Sequence, residues 1–160
     1  MKTPDSMKAE LSAWNNGAGA TWNNGAGLDL ETWVRSQGSF SLAVGYACIF
    51  WPEFVEFEGY ILRKGFSETS LRGFEKHKGS TRQSVEWVMN HLHIAELQYA
   101  GRDDVSQDKI FLLGNVLKEI YQAKLRWQFP DRPCIVEFDM PDDPEDLTGY
   151  QISIWQKGDE

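Results

Sequence analysis

The sequence predicts an α+β domain on three observations. Residues 40–51 form an uncharged apolar run with helical spacing, and 107–127 read as one long amphipathic helix. Residues 134–139 and 150–155 alternate in polarity as paired strands do. The expected architecture is four to five helices around a buried central helix at about 39–51. A small two- or three-stranded antiparallel sheet flanks them, formed by the C-terminal hairpin and by 54–62 as the candidate third strand.

Residues 1–27 stand apart. Residues 12–19 and 20–27 repeat Trp-Asn-Asn-Gly-Ala-Gly with a period of eight. Asn and Gly tolerate positive φ, so each Asn-Asn-Gly reads as a turn. The segment is expected as a flexible Trp/Asn/Gly-rich arm, with 28–160 as a single globular domain. Trp14 and Trp22 either fold back onto that domain or stack on a ligand.

Asp29 can cap a short helix carrying Leu30, Trp33 and Val34, which Gly38 ends. Ser39 can cap the next helix and Pro52 stops it. Two apolar stripes run along this helix: Phe40, Ala43, Val44, Ala47, Cys48 and Trp51, and Leu42, Tyr46, Ile49 and Phe50. A helix apolar on both sides is expected to be enclosed by protein. A Val44→Asp substitution is then expected to prevent folding, because it buries an unpaired carboxylate.

Residues 54–62 read as extended. Ser67 can cap a short helix with Leu71 and Phe74, and Ser80 or Thr81 a stronger one reaching about His93. The stronger helix has a core stripe of Val85, Val88, Met89 and Leu92, with Gln83, Glu86, Asn90 and His93 on a separate polar face. Ser106 can cap the long helix, whose apolar face is Ile110, Leu113, Leu117, Ile120 and Tyr121. The loop between the last two strands, 140–146, is acidic and holds two prolines.

Lys and Arg number 16 against 24 Asp and Glu, a net charge of −8. That balance argues against nucleic acid and against an anionic membrane surface. The charge-free apolar run, 36–52, is too short to span a bilayer, and the N-terminus lacks the apolar core of a signal peptide, so a cytoplasmic location is expected. Cys48 and Cys134 read as reduced and buried.

No nucleophile elbow, phosphate loop or zinc-binding spacing is present. The catalytic candidates are Glu86, Asn90, His91 and His93. A carboxylate beside an imidazole makes a general base. On a strand the pair His91 and His93 would point one way and could chelate a metal, whereas on the expected helix they diverge, so no metal and no cofactor is expected. Two acidic groups, Glu53, Glu56 and Glu58, and Asp142, Asp143, Glu145 and Asp146, would join into one negative surface if the sheet held both segments. With Trp22 they are the candidate binding residues.

The function expected first is that of a non-enzymatic binding protein, of the immunity or inhibitor kind, which recognises a basic protein as a monomer or homodimer. The alternative is a small hydrolase or transferase using the Glu/His polar face. A third is a small-ligand or carbohydrate binder using Trp14, Trp22 and Trp33.

Overall fold

The computed structural model describes residues 2–17, 21–25, 27–99 and 102–158. In chain order its main elements are α1 (Asp5–Asn16), α2 (Leu30–Gln37), α3 (Phe40–Phe50), β1 (Phe54–Phe57), β2 (Tyr60–Arg63), α4 (Glu68–Glu75), α5 (Arg82–Met89), β3 (Leu92–His93), α6 (Gln107–Gln128), β4 (Cys134–Asp139) and β5 (Gln151–Gln156). The fold class is α+β, with six helices among the described residues and small antiparallel sheets.

Local chemistry sets most helix starts. The side chains of Asp29, Ser39 and Ser67 accept from the backbone N–H of Thr32, Leu42 and Ser70. Thr81 and Ser84 cap each other reciprocally. Ser106 departs from expectation. Its hydroxyl donates to Asp108 (2.6 Å) and makes no cap bond to α6.

The central helix is α6, not α3. Ile110, Leu117, Tyr121 and Leu125 are buried on one face of α6 and share a core with Val136, Tyr150, Ile152 and Ile154 from the sheet side. Gly114 lies on that face, and a Cβ there would collide with the Phe138 ring, so the glycine is what lets helix and sheet approach.

The expected burial of 39–51 is therefore corrected. The segment is helical, but α3 contains no buried residue. Phe40 is 91% exposed and Val44 71%. The C-terminal half of α3 is the part that is held: Ile49 and Phe50 pack on the core, the Ile49 carbonyl accepts from the Tyr121 hydroxyl (2.8 Å), and the Tyr46 hydroxyl accepts from the Gln98 side chain. With α6 already seated on the sheet, the first turns of α3 are left in solvent.

The sheet also differs in membership. The three-stranded sheet has the order β3-β5-β4, with Leu92 opposite Ile152 and Cys134 opposite Gln156. Its third strand is Leu92–His93, because α5 ends at Met89 and not at His93. Residues 54–62 do not join it. They turn at Glu58 and Gly59, both at positive φ, and β1 pairs with β2 as a separate hairpin.

Two side chains of α5 bridge the hairpin and the sheet. The fully buried Glu86 carboxylate accepts from the backbone N–H of Ile61 (2.7 Å) and of Gln156 (2.7 Å), and from the Gln156 side chain. Asn90 accepts from Arg63 N–H (2.9 Å) and donates to the carbonyls of Ile61 (2.8 Å) and Ile154 (3.3 Å). Strand groups of β2 and β5 that lack a strand partner thus find one on a helix.

Residues 5–16, inside the expected arm, form a helix fastened to α6. Pro4 offers α1 no side-chain cap, and Asp108 supplies one from outside, accepting from the Ser6 N–H (2.9 Å) and hydroxyl (2.8 Å). Lys109 reaches Glu10 (2.6 Å).

Replacing Glu86 by Ala strands the N–H groups of Ile61 and Gln156, so urea denaturation should show a loss of about 2–5 kcal/mol. The bonds from Ser106 and then Ser6 hold the Asp108 carboxyl well below the usual carboxylate range. A depressed folded pKa gives stability that is complete above the unfolded value near ~4 and lost as pH falls through the folded one. Amide exchange over 5–16 should stay slow from neutrality to about pH 4 and speed up on further acidification. Asp108→Ala should release α1 at neutral pH.

Candidate functional site

The candidate polar face does not open on a cleft. Glu86 and Asn90 are both buried, and their partners are backbone groups and Gln156. A fully buried carboxylate already accepting from two backbone donors and an amide is closed to a substrate. From Glu86 the polar chain runs outward through Gln156 to Arg132, whose guanidinium donates to the Gln156 side chain (2.7 Å) and to the Gly59 carbonyl (2.6 Å). It ends on Glu56, 2.7 Å from Arg132.

His91 and His93 lie beyond the end of α5, and their expected divergence on a helix is corrected. Their ring centres are 5.1 Å apart with the planes at 80°. Nδ1 of His91 lies 2.5 Å from the Val88 carbonyl, and Nδ1 of His93 2.9 Å from that of Thr148. A carbonyl only accepts, so each Nδ1 carries the proton. Neither ring bonds to Glu86. Among the described residues no group of three or more His, Cys, Asp or Glu is placed to hold a metal.

The two acidic groups stand at opposite ends of β4. Arg132, just before the strand, holds Glu56, whereas 142–146 follow its far end, roughly 17–20 Å away for a six-residue strand. They do not form one surface, because β1 is outside the sheet. The first group is paired internally: Glu53 with Lys64 (2.7 Å), Glu56 with Arg132 and Glu58 with Arg72 (2.8 Å). The second is exposed throughout. Asp143 accepts from the Glu145 N–H (3.0 Å), and Asp146 from the N–H (3.1 Å) and hydroxyl (2.6 Å) of Thr148, which holds its carboxyl below the ordinary range. No Lys or Arg among the described residues forms an ion pair with this loop.

The tryptophans of the repeat meet. Trp14 and Trp22 are edge to face at 6.4 Å, and Trp14 and Trp33, with Glu10 and Ala13, line an open depression of about 460 Å³. A second open depression of about 550 Å³ lies between residues 2–5 and α6, lined in part by Pro4, Asp108, Phe111 and Glu119. It contains none of the residues singled out by sequence, because its two walls are about a hundred positions apart in the chain.

No family model matches the chain, and neither the curated proteins nor the solved structures provide a match to it.

Both cysteines are free thiols. Burial pushes the Cys134 thiol up to about 12, so its reactive thiolate is scarce at pH 8. Cys134 should stay unmodified by a thiol reagent at pH 8 in the folded protein and react fully in denaturant, as read by peptide mass.

Proposed function

We propose that the chain is a non-enzymatic binding protein that recognises a basic partner through the exposed loop 142–146. One observation supports it above the rest: Asp142, Asp143, Glu145 and Asp146 are exposed and pair with no Lys or Arg among the described residues, while Glu53, Glu56 and Glu58 are each held by an internal Lys or Arg. Exposed carboxylates that no neighbouring cation neutralises attract a cationic surface over a distance of about a Debye length, close to 10 Å at ordinary salt. Met140, 61% exposed at the root of the loop, adds a flexible apolar contact. The chemistry of Glu86 and Asn90 fits the same reading, since both are committed to the backbone.

The test uses a fluorescent decapeptide of alternating Lys and Arg as the basic probe. The wild-type chain should bind it with an affinity that falls steeply with added salt. Asp142→Asn, Asp143→Asn, Glu145→Gln and Asp146→Asn combined should weaken binding about tenfold or more, as expected for losing several charge contacts. A control with Asp103→Asn, Glu119→Gln, Asp131→Asn and Glu137→Gln removes the same charge elsewhere and should lose far less. Equal losses would overturn the loop as the binding surface.

A further inference from the structure

We propose that this protein is a two-fold homodimer joined through α3, independently of what the acidic loop binds. Three observations converge on that helix. One face of it is apolar and open to water: Phe40, Val44 and the terminal Trp51 are 91%, 71% and 50% exposed, and Trp127, whose ring centre lies 6.2 Å from that of Trp51, is 69% exposed. With ~150–250 Å² for a whole aromatic side chain and less for Val, these four residues show on the order of 600 Å² of apolar surface. The largest such patch on an ordinary monomer is ~300–600 Å², whereas one partner in a stable complex buries ~800 Å².

α3 itself also carries no charge. No Asp, Glu, Lys or Arg occurs between Arg35 and Glu53, in a chain that carries −8. Two copies of so acidic a molecule repel wherever carboxylates face each other, and a two-fold contact sets each residue against the same patch on the other copy. An uncharged helix is the surface on which that opposition vanishes. A basic partner, by contrast, would find no carboxylate here to pair with.

The shape fits a reciprocal contact. α3 is held at its C-terminal end by Ile49 and Phe50, and its first turns project. A two-fold axis near Val44 sets the two helices antiparallel and lays Phe40 of each copy against the Trp51 end of the other. There Lys124 sits over the Trp51 and Trp127 rings, 5.0 and 4.6 Å from their centres, which gives that end a stiff aromatic floor. Insertion of the projecting end into a bilayer fits less well, because it would carry the polar turn 36–39 into hydrocarbon.

Sedimentation of the full chain at about 20 µM should give a mass near 37 kDa, twice the 18.3 kDa of one copy, and dilution should dissociate it by mass action. Val44→Asp should halve the mass and keep the circular dichroism of the wild type. Phe40→Lys, a change in the exposed first turn, should do the same and serves if Val44→Asp is insoluble. A wild-type chain that remains monomeric at this concentration overturns the proposal, as does a dimer that survives Phe40→Lys. Val44→Asp that unfolds under dilution where the wild-type monomer is folded would place α3 in the core of one copy, against the proposal. A monomer that floats with neutral phosphatidylcholine vesicles would make lipid the occupant and refute the dimer.

Discussion

The Glu86 carboxylate is the constraint around which the rest of the structure is arranged. β2 and β5 approach each other without a backbone ladder between them, so Ile61 and Gln156 each need an acceptor from elsewhere. Burying a carboxylate is expensive unless its lone pairs are met, and here they are met by donors from two elements at once. Asn90, one helical turn further on, satisfies the neighbouring groups of Ile61, Arg63 and Ile154. The hairpin is thereby fixed to the sheet by α5, and Leu62, Leu71 and Val85 close a small second core beneath that joint. The arrangement fixes register more than it adds stability, since an apolar residue at 86 could not tell one slip of β2 from another.

That joint explains why the polar face of α5 misleads as a functional signal. The spacing of Glu86 and Asn90 is the spacing of a catalytic face and equally of a buried bridge, because both require two polar groups on one side of a helix. What separates the two is the identity of the partners, which are residues 25 to 70 positions away. By the same logic the helix stops early: the Asn90 side chain is drawn into the hairpin, and the chain leaves it extended, so Leu92 and His93 can pair with Ile152 and Gln151.

Much of the fold is legible locally. Asp29, Ser39, Ser67 and Thr81 start their helices where small polar residues precede apolar periodicity, and the alternation at 134–139 and 151–156 gives the strands. The turn at Glu58 and Gly59 also leaves a trace, since Ile61 and Leu62 are consecutive buried residues that no single half-buried strand would have. The external cap on α1 leaves none: Ser6 and Asp108 are 102 positions apart, and a serine beside a proline looks like any other. Among the candidate binding residues, the sequence shows which are acidic but not which are neutralised, because Glu56 and Glu58 owe their cations to Arg132 and Arg72.

The enclosure of α3 is a different kind of question, because an apolar composition states what a helix needs and not which chain provides it. An isolated helix of eleven residues is marginal in water, and most helical stability in proteins comes from packing one face. α3 is held within one copy through Tyr46, Ile49 and Phe50 in its C-terminal half, and its first turn has the Ser39 side-chain cap. A helix so placed keeps its shape in proportion to what covers it. Association through α3 therefore stabilises the helix that makes the contact, and separation loosens it. Sequence and structure agree once that coupling is allowed: the residues demand burial, a single copy does not supply it, and the proposed second copy would.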